Sequence, residues 1–390
     1  MMLNSIIKNF QRIRGTGLGS VAPVLFALAA IWIYFGFAEP AFLSGRNFYY
    51  LFMQSAVVGT LAVGITVVLI LGDIDLSVAA TSGVCAAILA VLSTNFGLSP
   101  TLACFCAILA GIIMGLIQGV LAAWVRIPSF VVTLAGLLGF QGLMLKILGI
   151  HGAINVRDPF IRGITTTNFT PVLGWIGFLI SLLIFVWILY RNNKNRRKMG
   201  LELTPFLSQF GKIVFFAVLA GSAVATLNSY RGIPLVVFLL LGITFFINWL
   251  TKSTPFGRSL FAVGGNAESA RRAGISIQSV RVAAFGIVGG MAAIGGIIGA
   301  SRYASVSFNA FAGGPLLLEA IGAAVIGGTS LFGGRGSVWN AILGALVIGS
   351  LGNGLDLSGA SAADKLMFSG GILLLAVSID ALSRRDQSKE

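Results

Sequence analysis

The sequence predicts an all-α, polytopic membrane protein with about 10 to 12 transmembrane helices, some of them short or broken. Apolar residues make up 57% of the 390-residue chain and charged residues only 10%, a composition outside the range of soluble domains. About twelve apolar runs are long enough to cross a hydrocarbon core of ~30 Å. The charges lie between these runs, which argues against a nucleic-acid partner for the net charge of +14.

The apolar runs follow one another closely, and we expect them to form one transmembrane domain, residues 21–382. They begin near Val21, Tyr50, Leu76, Thr101, Phe130, Val172, Ile213, Pro234, Val282, Leu316, Val338 and Lys365. Residues 1–20 are predicted to be a cytoplasmic N-terminal segment and residues 383–390 a cytoplasmic tail. The first run follows basic residues, as in a signal sequence, but it is long for a cleaved one, so we expect a retained span.

Basic residues are distributed unequally between alternate loops. With the N-terminus placed in the cytoplasm, the inside loops hold 19 of the 26 Lys and Arg residues. Because basic loops are retained in the cytoplasm, both termini are predicted to be cytoplasmic. The run RNNKNRRK (191–198) is expected to be an orientation anchor or a contact with anionic lipid. Gly149 to Thr170 is the longest external loop, the natural face for an extracytoplasmic partner.

The longest polar interruption of the apolar second half runs from Thr254 to Arg281, with four arginines against one acid. Within it, Asn266 can cap a helix, Glu268 suits the positive first turn, and Gly274 can take a left-handed exit. We therefore expect a short exposed helix of about two turns. Such a helix has the form of a docking surface for a soluble partner, and the alternative is an ordinary basic loop retained by the positive-inside rule.

Three acidic residues lie at or inside predicted spans. Asp73 and Asp75 in GDIDLS, and Glu319 in LLLEAIG, are costly if they face lipid. One aspartate is expected to cap the helix that starts at Leu76. Glu319 is expected either to be functional or to pair with a neighbouring helix. If all three acids relay protons or bind sodium, the alternative function is an ion-coupled secondary transporter.

Other motifs limit the chemistry further. Gly111, Gly115 and Gly119 form a stripe of small residues that lets another helix approach closely. The turn FGGRGS around Arg335 lacks the lysine of a phosphate-binding loop, and the sequence contains no such loop elsewhere. With a single histidine and three cysteines inside apolar runs, neither a metal site nor a catalytic constellation is predicted. If ATP powers transport, a separate protein must hydrolyse it.

Four stretches then resemble one family. They are GDIDLSVA (72–79), IPSFVVTLAG (127–136), TPFGRSLFAVGGNAESARRAGIS (254–276) and VIGGTSLFGGRGSV (325–338). In order and spacing the chain is similar to the permease subunits of bacterial ABC importers for monosaccharides, the ribose, galactose and xylose group. It is most similar to the xylose permeases, which share the insertion around Arg191 to Tyr230 with its NSYRGIP. Asp73 and Ala79 depart from the family pattern and leave the particular sugar open.

The resemblance implies the ABC importer permease fold and a transport subunit, not an enzyme. Its implied partners are an ATP-binding cassette subunit, a periplasmic sugar-binding protein, a second copy of the permease, the monosaccharide and membrane lipid, without nucleic acid. The implied location is the bacterial inner membrane. No cofactor is expected in this chain, because the partner ATPase would bind ATP and Mg²⁺.

The resemblance also implies site residues. For coupling to the ATPase these are Arg258, Gly264, Gly265, Asn266, Glu268, Arg271, Arg272 and Gly274. A sugar is neutral, so its pathway should be mildly polar and aromatic. The candidates for this pathway are Asp75, Ser77, Thr81, Phe130, Thr133, Gln141, Asn309, Phe311 and Glu319.

Overall fold

The computed structural model describes residues 21–311, 314–371, 374 and 378. The predicted N-terminal segment 1–20 and the tail 383–390 lie outside the described residues. Within the described part, ten helices are long and apolar enough to cross a membrane. The predicted all-α, polytopic class is confirmed.

The helices follow the predicted apolar runs. They are α1 (Ala22–Ala38), α2 (Gly45–Leu71), α3 (Val78–Ala90), α4 (Pro100–Ala123), α5 (Ser129–Leu148), α6 (Pro159–Thr166), α7 (Pro171–Lys198), α8 (Phe206–Asn228), α9 (Leu235–Ser253), α10 (Pro255–Gly265), α11 (Ala267–Arg272), α12 (Ile277–Tyr303), α13 (Phe308–Phe311), α14 (Gly314–Ile326) and α15 (Val338–Leu357). Residues 362–371 are also helical. The first of these helices, at 17 residues, is shorter than the ten spans.

Local sequence sets the helix boundaries. The hydroxyl of Ser44 accepts a hydrogen bond from the backbone N–H of Asn47 at the start of α2. At the end of α2, Gly72 has a φ of 89°, a left-handed conformation that suits glycine. Pro100 and Pro171 occupy first turns, where a missing N–H leaves no hydrogen bond unmade. A π-helical turn, Val91–Asn95, continues α3 and completes that span.

The two 27-residue helices α2 and α12 form the centre of the bundle. Of the eighteen most apolar consecutive residues in each helix, 94% are buried in α2 and 78% in α12. The glycines Gly111, Gly115 and Gly119 of α4 lie against α12, and a Cβ at Gly119 would stand 2.8 Å from the Cα of Val282. Lipid is as apolar as these side chains, so close packing of this kind, not burial from water, holds the spans together.

The loops separate into two ends of the bundle. At one end the segments 72–77, 254–276 and 327–337 pack together, and we call it the inner end after the predicted orientation. At the outer end lie two short antiparallel pairs of strands, β1 (Ala153–Asn155) with β4 (Ser305–Ser307) and β2 (Asn168–Phe169) with β3 (Ile233–Pro234). These pairings join loops that are distant in the sequence.

The helices α7 and α8 form a peripheral hairpin. Only 6% of the apolar stretch of α7 and 11% of that of α8 are buried. Unlike α2, these two helices have most of their surface uncovered by other described parts of the chain. The described part of the hairpin therefore contributes little to the core of the bundle.

The structure differs from the sequence expectation at the start of the segment 254–281. The sequence predicts one short helix in this segment. The structure has that helix, α11, and a second helix, α10, directly before it. The hydroxyl of Thr254 accepts from the N–H of Gly257 at 3.2 Å, and Pro255 occupies the first turn. Leu260 and Val263 are buried, and Phe256 and Phe261 are partly buried against the same core, so α10 packs an apolar face on the bundle.

Candidate functional site

The exposed helix α11 is capped and internally paired, as the sequence predicts. The side chain of Asn266 accepts from the N–H of Ser269 at 2.9 Å. Glu268 pairs with Arg271 at 2.9 Å and with Arg272 at 3.1 Å. The guanidinium of Arg271, followed by that of Arg272, holds the pKa of Glu268 below its usual range. The helix thus presents an ordered group of one acid and two cations to solvent.

The backbone of α10 touches the end of α2 directly. A Cβ at Gly264 would overlap the carbonyl oxygen of Ile70 and lie 2.9 Å from the backbone nitrogen of Gly334. The same carbonyl accepts from the N–H of Gly334 at 2.8 Å. Three chain segments therefore meet at one point, and the contact needs a residue without a side chain. A Cβ at the neighbouring Gly265 would meet nothing within 4 Å.

A partly buried ion pair joins the second turn of α12 to the loop after α2. Arg281 Nε lies 2.7 Å from Asp73 Oδ2, and Arg281 Nη2 lies 3.2 Å from Asp73 Oδ1. The same guanidinium donates to the backbone carbonyl of Ala122 at 3.4 Å. Asp73 is 6% exposed, so its charge depends on this bidentate partner. Sequence reasoning counted Arg281 among the solvent-facing arginines and missed the pair, although an acid among apolar residues signals a partner.

The second aspartate lies two residues before the N-cap of α3, which is Ser77 and not an aspartate as predicted. Asp75 Oδ1 accepts from both the backbone N–H and the hydroxyl of Ser77, each at 2.7 Å, just before α3. Gln118 of α4 donates to the Ser77 hydroxyl at 2.8 Å. The Thr133 hydroxyl lies 3.2 Å from the carbonyl of Ile74. Burial raises the pKa of Asp75. The three pathway candidates Asp75, Ser77 and Thr133 therefore lie together at the inner end in a buried polar cluster.

Glu319 lies far from that cluster, in a polar cavity at the outer end. The cavity has a volume of about 210 Å³. Its wall includes Gln54, Arg302, Tyr303, Glu319, Asp356, Lys365 and Ser369, from α2, α12, α14, α15 and the helix 362–371. Asp356 and Lys365 form an ion pair within it. Charged and amide groups thus surround a space large enough for a small polar molecule.

The other pathway candidates do not converge on one place. Thr81 and Phe311 are buried in the core, and the ring of Phe311 fills the space that Gly299 of α12 leaves open. Phe130 and Asn309 are exposed, and Gln141 is half-buried. Sequence reasoning also missed Gln54 and Tyr303 as cavity residues, because only their tertiary neighbours distinguish them from other polar residues near helix ends.

The comparisons with known proteins cover nearly all of this architecture. A family model described as the permease component of the branched-chain amino acid transport system matches residues 47–377. The xylose transport system permease protein XylH of Escherichia coli K12 is 34% identical over 363 residues, 93% of this chain and 92% of that protein. XylH of Haemophilus influenzae is 35% identical over 367 residues, covering 93% and 96%.

A relative with a different named cargo also matches. The autoinducer 2 import system permease protein LsrC of Salmonella typhi is 31% identical over 324 residues, 83% of this chain and 75% of that protein. No solved structure matches the chain. The family model spans the ten apolar helices from α2 onward and every segment that meets at the inner end. The chain is therefore a multi-pass membrane permease. It belongs to the family described as the permease component of the branched-chain amino acid transport system.

Proposed function

We propose that this chain is the membrane-spanning subunit of an ATP-driven importer that takes a monosaccharide, xylose or a similar sugar, into the cytoplasm. The family description names amino acids and LsrC names autoinducer 2, so family membership alone leaves the cargo open. The similarity to two XylH proteins over 93% of the chain favours a pentose.

The observation that carries the proposal is the exposed, internally paired helix α11. A solvent-facing helix held at one end of a membrane bundle suits the docking of a soluble ATPase, which would bind ATP and Mg²⁺ and hydrolyse the nucleotide. The exposed side chains of Arg258, Asn266, Glu268, Arg271 and Arg272 supply its polar contacts. Gly264, Gly265 and Gly274 shape the segment, and Gly274 has a φ of 82°.

Movement of α11 would reach the spans through two contacts described above. Gly264 lies against Ile70 at the end of α2, and the pair Arg281–Asp73 fastens the second turn of α12 to the loop after α2. Since α2 and α12 form the centre of the bundle, closure of a bound ATPase would displace the core helices directly. The same arrangement gives Asp73 a structural role in place of the ion-binding role of the alternative.

The ion-coupled alternative gains no support from the relatives, which are permeases of transport systems. Asp73 is paired with an arginine, and Asp75 accepts hydrogen bonds from Ser77 just before α3. Two of the three acids that this alternative needs are therefore already engaged.

The remaining partners follow from the predicted orientation, with both termini cytoplasmic. A periplasmic sugar-binding protein would meet the outer end, and two copies of the permease would assemble with the ATPase. The periphery also fits lipid. At 28 residues, α7 is about 42 Å long and exceeds a core of ~30 Å. Its last turns carry the basic tip, residues 191–198, beside Trp187, a residue typical of the interface. We assign this tip to anionic phospholipid.

The test is to copurify the chain with the ATPase and the binding protein encoded beside it and to reconstitute them in proteoliposomes. We expect one pentose or hexose, with its binding protein, to stimulate ATP hydrolysis. Uptake by this chain alone, driven by an ion gradient and without a copurified ATPase, would refute the importer.

Coupling is tested with charge reversals. Glu268→Lys, or Arg271→Glu with Arg272→Glu, should abolish the stimulation while thermal unfolding stays unchanged, because these side chains are exposed. The matched control is Glu202→Lys, an exposed acid on the same predicted side, which should keep the stimulation. Normal stimulation of the Glu268 and arginine variants would make the coupling assignment wrong.

A further inference from the structure

The cavity around Glu319 is lined by helices of one subunit, is partly open to its surroundings, and lies at the end opposite to α11. Its volume of about 210 Å³ equals about seven waters at the ~30 Å³ that each occupies in the liquid. The cavity is therefore large enough for one small polar molecule, the size class of the proposed cargo.

Acidic and basic groups are matched in number among the described residues of the cavity wall. Asp356 is paired with Lys365, and Glu319 shares the wall with Arg302. Such a mixed lining suits a neutral polar ligand better than an ion. The cavity nevertheless keeps strong hydrogen-bonding groups that can bind hydroxyls.

The wall supplies both kinds of hydrogen-bonding partner and an aromatic ring. Among the described residues no donor bonds to the carboxylate of Glu319, so its oxygens remain able to accept from hydroxyls. The amide of Gln54 can donate and accept. The guanidinium of Arg302 lies 4.8 Å from the ring centre of Tyr303 and donates to its hydroxyl at 3.2 Å. This contact orders the aromatic ring at the cavity wall.

Two glycines of α15, Gly349 and Gly352, line the cavity. Gly349 is needed for helix packing, because a Cβ there would overlap the hydroxyl of Ser55 in α2. A Cβ at Gly352 would meet no atom within 4 Å, so packing between helices does not require glycine there. Instead, a larger residue at Gly352 would project into free space beside the polar groups. The position gives a way to fill the cavity without disturbing a helix contact.

We infer that this cavity is a monosaccharide-binding subsite inside each permease subunit, occupied as the sugar passes from the outer end toward the inner end. Glu319 accepts hydrogen bonds from the sugar hydroxyls, the amide of Gln54 both donates and accepts, and Tyr303 offers its ring to the C–H groups. The inference rests on the proposed function. It adds a binding step within the single chain, between release by the binding protein and entry into the cytoplasm.

The test uses the complete importer in proteoliposomes, with D-xylose as the probe. Glu319→Gln should lower the uptake rate about tenfold, as expected for the loss of one charge-assisted hydrogen bond. Gly352→Leu should abolish uptake by filling the cavity. In both variants the loaded binding protein should still stimulate ATP hydrolysis, because the inner end is intact. This separation of hydrolysis from uptake would not arise from a general loss of structure.

The matched control is Gly139→Leu in α5, because a Cβ at Gly139 also meets nothing within 4 Å and the position is far from the cavity in the sequence and outside its wall. It should transport at the wild-type rate. Saturation-transfer NMR of D-xylose with the importer in nanodiscs should show a signal that Gly352→Leu removes and Gly139→Leu keeps. Wild-type uptake by both Glu319→Gln and Gly352→Leu would overturn the subsite alone. Failure of the unmodified importer to take up any sugar would overturn the proposed function as well.

Discussion

Replacing Gly264 with alanine tests whether α10 must touch the end of α2. The added Cβ would overlap the Ile70 carbonyl and stand 2.9 Å from the Gly334 nitrogen, where ordinary contact begins at 3.4 Å. Separating the segments would also lengthen the 2.8 Å hydrogen bond between Gly334 and Ile70. Overpacking costs about 1–3 kcal/mol and a lost hydrogen bond about 1 kcal/mol. We therefore expect a free energy of unfolding lower by ~2–4 kcal/mol.

The neighbouring Gly265 provides the control, because Gly265→Ala adds the same methyl group in open space and favours the helix by about 0.5–1 kcal/mol. Thermal unfolding of the two purified variants in the same lipid nanodisc should differ by several degrees, with Gly264→Ala the lower. Sugar-stimulated ATP hydrolysis should fall in Gly264→Ala for the same reason. Identical unfolding temperatures for the two variants would refute the view that this contact holds the inner end together.

Three further changes test the packing and the periphery. Arg281→Gln should destabilise by about 3 kcal/mol, because it leaves the buried carboxylate of Asp73 unpaired. Asp73→Asn should destabilise less, because the side chain of Arg281 is 30% exposed. The double variant should recover part of the loss in a double-mutant cycle, and additive losses would contradict the pair. Gly115→Leu should prevent assembly by separating α4 from α12, whereas Gly139→Leu should assemble normally. A folded Gly115→Leu protein of normal yield would count against the packing of α4 on α12. Replacing Arg196 and Arg197 of the basic tip by glutamine should reduce the anionic phospholipid that copurifies, as measured by native mass spectrometry. Replacing Arg157 and Arg162 by glutamine should leave the amount of this lipid unchanged. Equal losses in the two variants would argue for a general charge effect.

The spans could be predicted because their signal is local. An apolar run of sufficient length must cross the membrane or be buried, whatever its neighbours are. The helix capped by Asn266 could be predicted for the same reason, since its start, charged turn and exit lie within nine residues of sequence. The helix α10 was not predicted, because the segment 254–281 is polar overall and its composition favours a loop in water. Leu260 and Val263 are three residues apart and therefore lie on one helix face, which is buried.

Contacts between distant segments could not be predicted in the same way. Asp73 and Arg281 are 208 residues apart, and their loops each contain other charges that could have paired. Gly264 and Gly265 are adjacent and look equivalent in the sequence, yet only at Gly264 would an added Cβ meet the backbone of another segment. The pathway candidates were chosen by residue type, and residue type does not determine depth: Phe311 is buried while Phe130 is exposed.

The helix α12 links the two ends of the molecule without interruption. It contains no proline over its 27 residues and is about 40 Å long at 1.5 Å per residue. Its first residues carry Arg281, and its last residue, Tyr303, forms part of the cavity wall. If the helix tilts as one rigid body, a tilt of about 3° at one end displaces the other end by about 2 Å. A small rotation next to α11 is therefore enough to change the width of the cavity at the outer end.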